Sequence, residues 1–582
     1  MVTTDLAREL GKIRPNISLA WSKITQGRLL YYTYSLIIYA FVLIKSNVIK
    51  GTTFYTPDSE FYLSLSSFGS QVTDRAPTPA YYFTRFGVIE PIYILNKLIG
   101  VQNGLFLYRF ILFTFLFISV LILIENLNYK NEITKTILMT FILTNSVILS
   151  FLGDPYVSGT AITCTFVNAA LAQIYIKKKS ELKNTYIFSF LLGINLAWAL
   201  FINQQFCTFI GINNVLLFFL LERKGFLSKK TLSNLALLIC GALIQSIIFL
   251  KIGKLIFPEL DWLDTTTFYA RILKASSYSS RNFEWIPVTY HVVGLSLFAV
   301  FIFVNLKRFK SSNLFHEINF ILIFLTFAVQ SFFSHAVLLE ANFYNALLWP
   351  YFVAALVAFI SKSFNSSTLG IYSSLSVLGL VLVLLVLFAK SNPKTGQTFT
   401  IFFIVAAISL MFMSVARYSK KQGVVWLAVF VVSIQAIQST VIPGSSVVNR
   451  IPFNASFSSK NTHKETLLKL QIEKWLISNT NSKDRVFVWA APNSNLVQFA
   501  AMQLWGPNSI ETPKSKLDWN YQNLNAIKPD KLILYSNSED EIDIFLKKLD
   551  ELDFSYRIEI CSLWDGEDSN IYVCVTEKAK NL

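Results

Sequence analysis

The chain has 582 residues, of which 53% are hydrophobic and 15% are charged, and its mean hydropathy is +0.49. Because soluble domains carry about a quarter charged residues, this composition excludes an ordinary soluble protein and indicates an integral membrane protein. The formal charge of +16 does not point to nucleic acid, since Lys and Arg stand in short clusters between apolar runs. Five cysteines without a CxxC pair, and four histidines, provide no ligand spacing for structural zinc.

About thirteen apolar stretches come near the roughly 20-residue length that crosses the hydrocarbon core of a bilayer. They lie at 29–49, 105–125, 136–153, 158–176, 185–202, 206–221, 231–253, 287–306, 318–333, 346–361, 368–389, 399–416 and 424–441. The sequence therefore predicts a polytopic, all-α membrane domain over residues 29–441, preceded by a basic cytoplasmic segment at 1–28.

Basic clusters between alternate pairs of these stretches predict the topology. They are Lys177 to Lys179 with Lys183, Arg223 and Lys224 with Lys229 and Lys230, Lys307 and Arg308 with Lys310, and Arg417 with Lys420 and Lys421. By the positive-inside rule these loops, and the equally basic N-terminus, are cytoplasmic. An odd number of helices then places residues 442–582 outside. We expect a multi-pass protein of the plasma (inner) membrane.

Residues 442–582 are polar and predict a small extracytoplasmic α/β domain. Thr462 and Glu465 match a capping box, which predicts a helix through Trp475. Further helices are predicted at 495–505 and 538–552, and strands at 484–489, 531–535, 556–562 and 570–576.

Cys561 and Cys574 lie about equally far from the centre of a hairpin turn predicted at 564–568. They could face each other across two strands, and an extracytoplasmic compartment permits a disulfide between them. The alternative interpretation is a pair of buried thiols in neighbouring strands.

Three predicted external segments are too long to be simple turns: 50–104, 254–286 and the tail from 442. Asp58 and Glu60 follow the first helix, where a carboxylate could reach a substrate whose lipid tail stays in the bilayer. Sugar transfer from a lipid phosphate to a hydroxyl needs a carboxylate as general base. It also needs cations or a metal to hold the departing phosphate.

Other polar residues of the external segments are candidate substrate or phosphate contacts. They are Asp74, Arg75 and Arg85 in the first segment, Arg271 and Arg281 in the second, and His335, Glu340, Asn342 and Tyr344 in a shorter connection at 334–345. The structural alternative is that such acids are solvated surface groups and that the arginines reach lipid headgroups.

The chain resembles the GT-C superfamily of membrane glycosyltransferases. The likeness lies in the N-terminal helix, a long first external loop with Asp58-Ser59-Glu60 near its start, many further spans and a terminal α/β domain. The segment Glu340 to Tyr344, followed by Pro350, is similar to a late family stretch of an acid, Arg-Tyr and Pro, with Phe343 where the family has Arg.

This resemblance implies that Asp58 or Glu60 is the catalytic base or a metal contact. It implies a polyprenyl-phosphate or polyprenyl-diphosphate sugar as donor, a glycan, lipid or protein as acceptor, and inversion at the anomeric carbon. A divalent metal is a possible cofactor, because metal use varies among such enzymes.

Three other functions stay open. A polysaccharide polymerase or ligase would depend on the late loop near His335, and not on Asp58. A transporter or flippase would favour discontinuous helices around a midplane site, whereas the charges here concentrate at the membrane edge. A scaffolding protein would use its tail to bind a partner.

Overall fold

The computed structural model of the protein describes residues 29–44, 57–73, 81–125, 132–143, 157–178, 182–203, 228–267, 462–481, 484–491, 528–565 and 570–579, together with isolated residues and pairs between 148 and 218. The described residues from 29 to 267 are called the membrane part below, and those from 462 to 579 the C-terminal unit.

The described residues of the membrane part are almost entirely helical. They form α1 (Leu29–Ile44), α2 (Pro57–Phe68), α3 (Ser70–Thr73), a 3-10 turn (Tyr81–Thr84), α4 (Phe86–Ile99), α5 (Val101–Glu125), α6 (Glu132–Leu143), α7 (Val157–Lys177), α8 (Leu182–Ile202), α9 (Lys229–Ile256) and α10 (262–267).

Four of these helices, α5, α7, α8 and α9, are long and apolar enough to cross a membrane, and α1 is a shorter apolar helix. They coincide with five predicted stretches, and α6 begins within four residues of a sixth. The membrane character of the chain is thereby confirmed. The predicted stretches from residue 287 onward lie outside the described residues, so the total of about thirteen stays a prediction.

Helices α8 and α9 approach so closely that two glycines are required at their contact. A Cβ atom on Gly193 would lie 2.0 Å from the Leu238 carbonyl oxygen, and one on Gly241 would lie 2.2 Å from that of Phe190. Small residues permit such backbone approach between membrane helices. The N-terminus of α9 is capped by Ser228, whose hydroxyl accepts a hydrogen bond from the Thr231 amide at 3.1 Å.

Buried side-chain amides connect α7 to its neighbours. Asn168 and Asn214 exchange two amide hydrogen bonds, of 3.0 and 3.1 Å. Asn195 on α8 donates to the Cys164 carbonyl at 3.1 Å, and Asn234 on α9 donates to the Tyr175 hydroxyl at 2.8 Å. Such interhelical hydrogen bonds satisfy polar groups that lipid cannot.

The C-terminal unit is a four-stranded sheet covered by helices. Its elements are α11 (Thr462–Asn479), β1 (Val486–Ala490), β2 (Lys531–Ser536), α12 (Glu539–Asp550), β3 (Tyr556–Asp565) and β4 (Asn570–Lys578). The strand order is β1-β2-β4-β3, with β1 parallel to β2 and the other pairs antiparallel.

Alternation along the strands gives the sheet two apolar faces. On one face Ile533 and Val575 pack with Ile472 and Leu476 of α11, and on the other Leu534 packs with α12. This agrees with the predicted α/β pattern. The predicted helix at 495–505 lies outside the described residues.

The hairpin of β3 and β4 brings Cys561 opposite Cys574, and the two form a disulfide. The structure therefore supports the disulfide interpretation and contradicts the alternative of two buried thiols. The pairing follows from the register, which sets the Cα atoms 4.1 Å apart.

Candidate active site

Helix α2 begins at Pro57 and carries Asp58 and Glu60 in its first turn. Proline at the first helical position and acids beside it suit a helix N-terminus, because the first amides lack partners and the helix dipole is positive there. The structure describes the backbone of both acids but not their side chains. Their proposed role therefore stays a prediction, while their place at the start of one helix is given.

Residues 62–67 of α2 are buried. Leu63 and Leu65 belong to the core of the membrane part, and the amide of Asn96 on α4 donates to the Ser66 carbonyl oxygen at 3.0 Å. The helix ends at Phe68. The next residue, Gly69, has a φ of 60° that suits glycine, and its amide donates to the Leu65 carbonyl at 2.9 Å. Packing and a backbone stop thus fix the helix of the two acids against α4.

Arg85, a predicted phosphate contact, lies immediately before α4 and is only 4% exposed. Its carbonyl oxygen accepts hydrogen bonds from the amides of Val88 and Ile89, at 3.0 and 3.1 Å. Arg85 is therefore part of the packed interior and not a solvated surface arginine.

Two indoles hold the backbone on either side of Arg85. The Nε1 of Trp262 donates to the Thr84 carbonyl at 2.9 Å, and the Nε1 of Trp198 donates to the Gly87 carbonyl at 3.0 Å. Trp262 belongs to α10, in the predicted second external segment. The structure thus joins the first external segment, at Thr84, to the start of the second, at Trp262.

Aromatic rings fill the same junction. Phe86 stacks on Phe201 and on Phe257, with ring centroids 6.0 and 6.1 Å apart, and Phe201 lies 4.8 Å from the Trp262 ring. Gly253 leaves room for Phe86, because a Cβ there would come within 2.3 Å of the Phe86 ring. The backbone at Arg85 is therefore supported by close packing as well as by hydrogen bonds.

Glu90 is a buried acid that the sequence analysis missed. It lies on α4, is 1% exposed, and neither carboxyl oxygen has a hydrogen-bond partner among the described residues. Burial raises the pKa of Glu90 to about 9, so the carboxyl is neutral at pH 7. The sequence does indicate this burial, because an acid is unusual within an apolar run such as Phe86 to Leu95.

A second missed contact joins α2 to the C-terminal unit. The Ser64 hydroxyl donates to the Glu473 carboxylate at 2.5 Å, across 409 residues of sequence. Both residues are buried. No local pattern in the sequence pairs two positions so far apart.

The other predicted site residues lie outside the described residues. They are Asp74, Arg75, Arg271, Arg281, His335, Glu340, Asn342 and Tyr344. Within the part of the chain that is described, no cluster of three or more His, Cys, Asp or Glu side chains could hold a metal ion.

No known protein-family model matches the chain, and no curated protein matches it either. The chain is similar to the solved structure of ArnT from Cupriavidus metallidurans bound to undecaprenyl phosphate. That likeness has 12% identity and a TM-score of 0.46, and it covers 94% of this chain and 97% of ArnT.

The chain is also similar to the Archaeoglobus fulgidus oligosaccharyltransferase. The apo form gives 9% identity and a TM-score of 0.36, covering 86% of this chain and 69% of that one. The AglB complex with an inhibitory peptide and a dolichol-phosphate gives 10% identity, a TM-score of 0.33 and the same coverage. Because the TM-scores of these likenesses are below 0.5, the case for function depends on the residues of this chain itself.

Proposed function

We propose that this protein is an integral membrane glycosyltransferase of the GT-C kind. It would move a sugar from a polyprenyl-phosphate-type lipid to an acceptor on the extracytoplasmic side of the plasma (inner) membrane. The observation that carries the proposal is the fixed packing of α2, which bears Asp58 and Glu60, against α4, which begins directly after the buried Arg85.

The residues are of the types that this reaction needs. Asp58, or Glu60, would take the proton of the acceptor hydroxyl, whose oxygen then attacks the anomeric carbon. The bond from that carbon to the phosphate oxygen breaks, and the lipid phosphate leaves with the electron pair and inversion of configuration. Arg85 would offset the negative charge that develops on the phosphate.

Burial favours this role for Arg85. A guanidinium in a dry site interacts more strongly with a phosphate than one in water, because the local dielectric constant is lower. Arg75, Arg271 and Arg281 are further candidates for the same phosphate, since they belong to the two external segments that meet at Thr84 and Trp262. Asp58 and Glu60 are the residues that would hold a divalent metal if the reaction uses one.

The test is transfer of labelled sugar by the purified protein, with Asp58→Asn and Glu60→Gln compared with the unmodified chain. The donor panel includes sugars on undecaprenyl phosphate and dolichol phosphate, the carriers held by the solved ArnT and AglB structures. Loss of a general base lowers turnover by about 10²- to 10⁴-fold. The matched control is Glu259→Gln, which removes an exposed acid of the second external segment.

Each outcome has a distinct meaning. Loss of turnover in Asp58→Asn or Glu60→Gln, with Glu259→Gln fully active, supports the proposal and assigns the base. Turnover retained in both variants moves the chemistry to His335 and favours a polymerase or ligase. Absence of turnover with every donor in the unmodified protein, together with vesicle uptake of a lipid-linked sugar, favours a transporter.

A further inference from the structure

Helix α2 depends on its neighbours for its position. It has 12 residues, and isolated helices shorter than about 12–15 residues are marginally stable in water. Its first turn, with Asp58 and Glu60, must nevertheless be held in place if a carboxylate is to act on a bound substrate. Two described side chains reach α2 by hydrogen bonds from other elements, Asn96 and Glu473.

Glu473 comes from α11, a helix with two apolar faces. Ile472 and Leu476 pack on the sheet of the C-terminal unit, whereas Leu470 and Ile477 pack against the core of the membrane part. Glu473 lies three residues after Leu470 and four before Ile477, so it shares their side of the helix. The carboxylate therefore lies in the contact between the C-terminal unit and the membrane part.

The chemistry of this contact favours the pairing of Glu473 with a hydrogen-bond donor. Glu473 is 4% exposed, and burying a carboxylate is costly unless it accepts hydrogen bonds. Ser64 supplies one at 2.5 Å, in the range of short charge-assisted bonds. The charge of Glu473 also affects β2. Burial, and after it the charge of Glu473, raises the pKa of the Tyr535 phenol on that strand.

We propose that Glu473 is a positioning residue: by accepting the hydrogen bond of Ser64, it fixes α2 and hence the turn that carries Asp58 and Glu60. Ser64 lies one helical turn after Glu60, so a shift of α2 at Ser64 is transmitted directly to the acids. The inference rests on the proposed function in one respect, that the first turn of α2 contains the base.

The test combines two measurements on the full-length protein in detergent: donor turnover, and hydrogen–deuterium exchange of the amides at residues 57–68. The variants are Ser64→Ala, Glu473→Ala, the double variant and Glu473→Gln, which keeps an acceptor for Ser64. The matched control is Asp543→Asn, which removes an exposed acid of the C-terminal unit.

We expect Ser64→Ala and Glu473→Ala each to lower kcat, by up to about a hundredfold, as small misplacements of catalytic groups do. The KM for the donor changes much less. The double variant is no worse than either single one, because both remove the same bond. Exchange at 57–68 becomes faster, Glu473→Gln restores both readouts in large part, and Asp543→Asn changes neither.

The proposal is overturned if kcat stays unchanged in both single alanine variants, or if their losses multiply in the double variant. It is also overturned if exchange at residues 57–68 does not increase. Should Glu473→Ala fail to fold, Ser64→Ala and Glu473→Gln still decide between these outcomes. Should the unmodified protein transfer no sugar, the proposed function fails, while the exchange at α2 alone decides whether Glu473 fixes that helix.

Discussion

The indole of Trp262 donates a hydrogen bond to the carbonyl oxygen of Thr84, at 2.9 Å and across 178 residues of sequence. Thr84 precedes the buried Arg85, so this bond fixes the chain where a predicted phosphate contact begins. It also explains how the second external segment can take part in a site built on the first. Trp262 directly follows Asp261. The Asp261 carboxylate accepts hydrogen bonds from the amides of Leu263 and Asp264, and it thereby caps the start of α10.

We predict that Trp262→Phe lowers the stability of the protein by about 1–3 kcal/mol, because the Thr84 carbonyl loses its donor in a packed site. The aromatic ring is kept, so packing on Phe201 changes little. The measurement is thermal unfolding in detergent, together with kcat for the donor. The control is Trp475→Phe, at an indole of α11 that makes no such bond to another described residue. An equal effect of the two substitutions would contradict the prediction.

Glu90 predicts a specific dependence of stability on pH. In the folded protein burial raises the pKa of the Glu90 carboxyl to about 9, whereas the free side chain has a pKa of 4.5. Between these values the unfolded chain binds fewer protons than the folded one, so stability falls as the pH rises. The contribution of this proton is fully present below about pH 4.5 and is lost as the pH passes through about 9.

The expected result is that Glu90→Gln, which cannot titrate, becomes more stable than the unmodified protein as the pH is raised. Near pH 5 the two melting temperatures should differ little, and near pH 9 the variant should melt higher. Glu259→Gln, at an exposed acid, should follow the unmodified protein at every pH. A constant difference between Glu90→Gln and the unmodified protein over this range would show that Glu90 is ionised throughout.

The contact of α8 and α9 predicts a strict requirement for glycine. Gly241→Ala and Gly193→Ala each place a methyl group against backbone on the facing helix, where no side chain can move aside. Overpacking of this kind costs about 1–3 kcal/mol. Gly211→Ala is the control, because among the described residues its Cβ would meet only the Leu196 side chain, at 3.5 Å. Melting temperatures that fall for Gly193 and Gly241 but not for Gly211 would verify the contact.

The cross-strand disulfide gives a fourth prediction. Protein purified without reductant and then unfolded should react with a maleimide at its free cysteines, and not at Cys561 or Cys574 until it is reduced. Replacing both paired cysteines by serine should destabilise the C-terminal unit by about 2–4 kcal/mol. Cys240→Ser should have no such effect. Ready labelling of Cys561 before reduction would argue against an oxidising compartment.

The elements that sequence predicted well are those specified by local patterns. The predicted strand at 531–535 is observed as Lys531–Ser536, since the four consecutive apolar or aromatic residues Leu532 to Tyr535 suit a buried strand. The predicted hairpin is also observed. The strand predicted at 484–489 begins two residues later, because Asp484 accepts the Asn481 amide and Arg485 pairs with Asp530 before the ladder starts.

The candidate site was predictable only in its residue types. Their position in the first external segment identifies Asp58, Glu60 and Arg85 as candidate site residues, but nothing in the sequence indicates that Arg85 is buried. Burial depends on which helices pack together, and that is decided by contacts such as Trp198 to Gly87, 111 residues apart. Glu90 could have been recognised from its apolar neighbours alone.

The 409 residues between Ser64 and Glu473 also determine when the candidate site can be completed during biosynthesis. A ribosome that has inserted α2 must still make the rest of the membrane-embedded chain and α11 before Ser64 meets its acceptor. Because contacts between distant positions form late, nascent and truncated chains would display the acids of α2 without the bond that secures them. Under the proposed function, a nascent chain would not have its candidate base fixed in place until α11 has been made and has packed on α2.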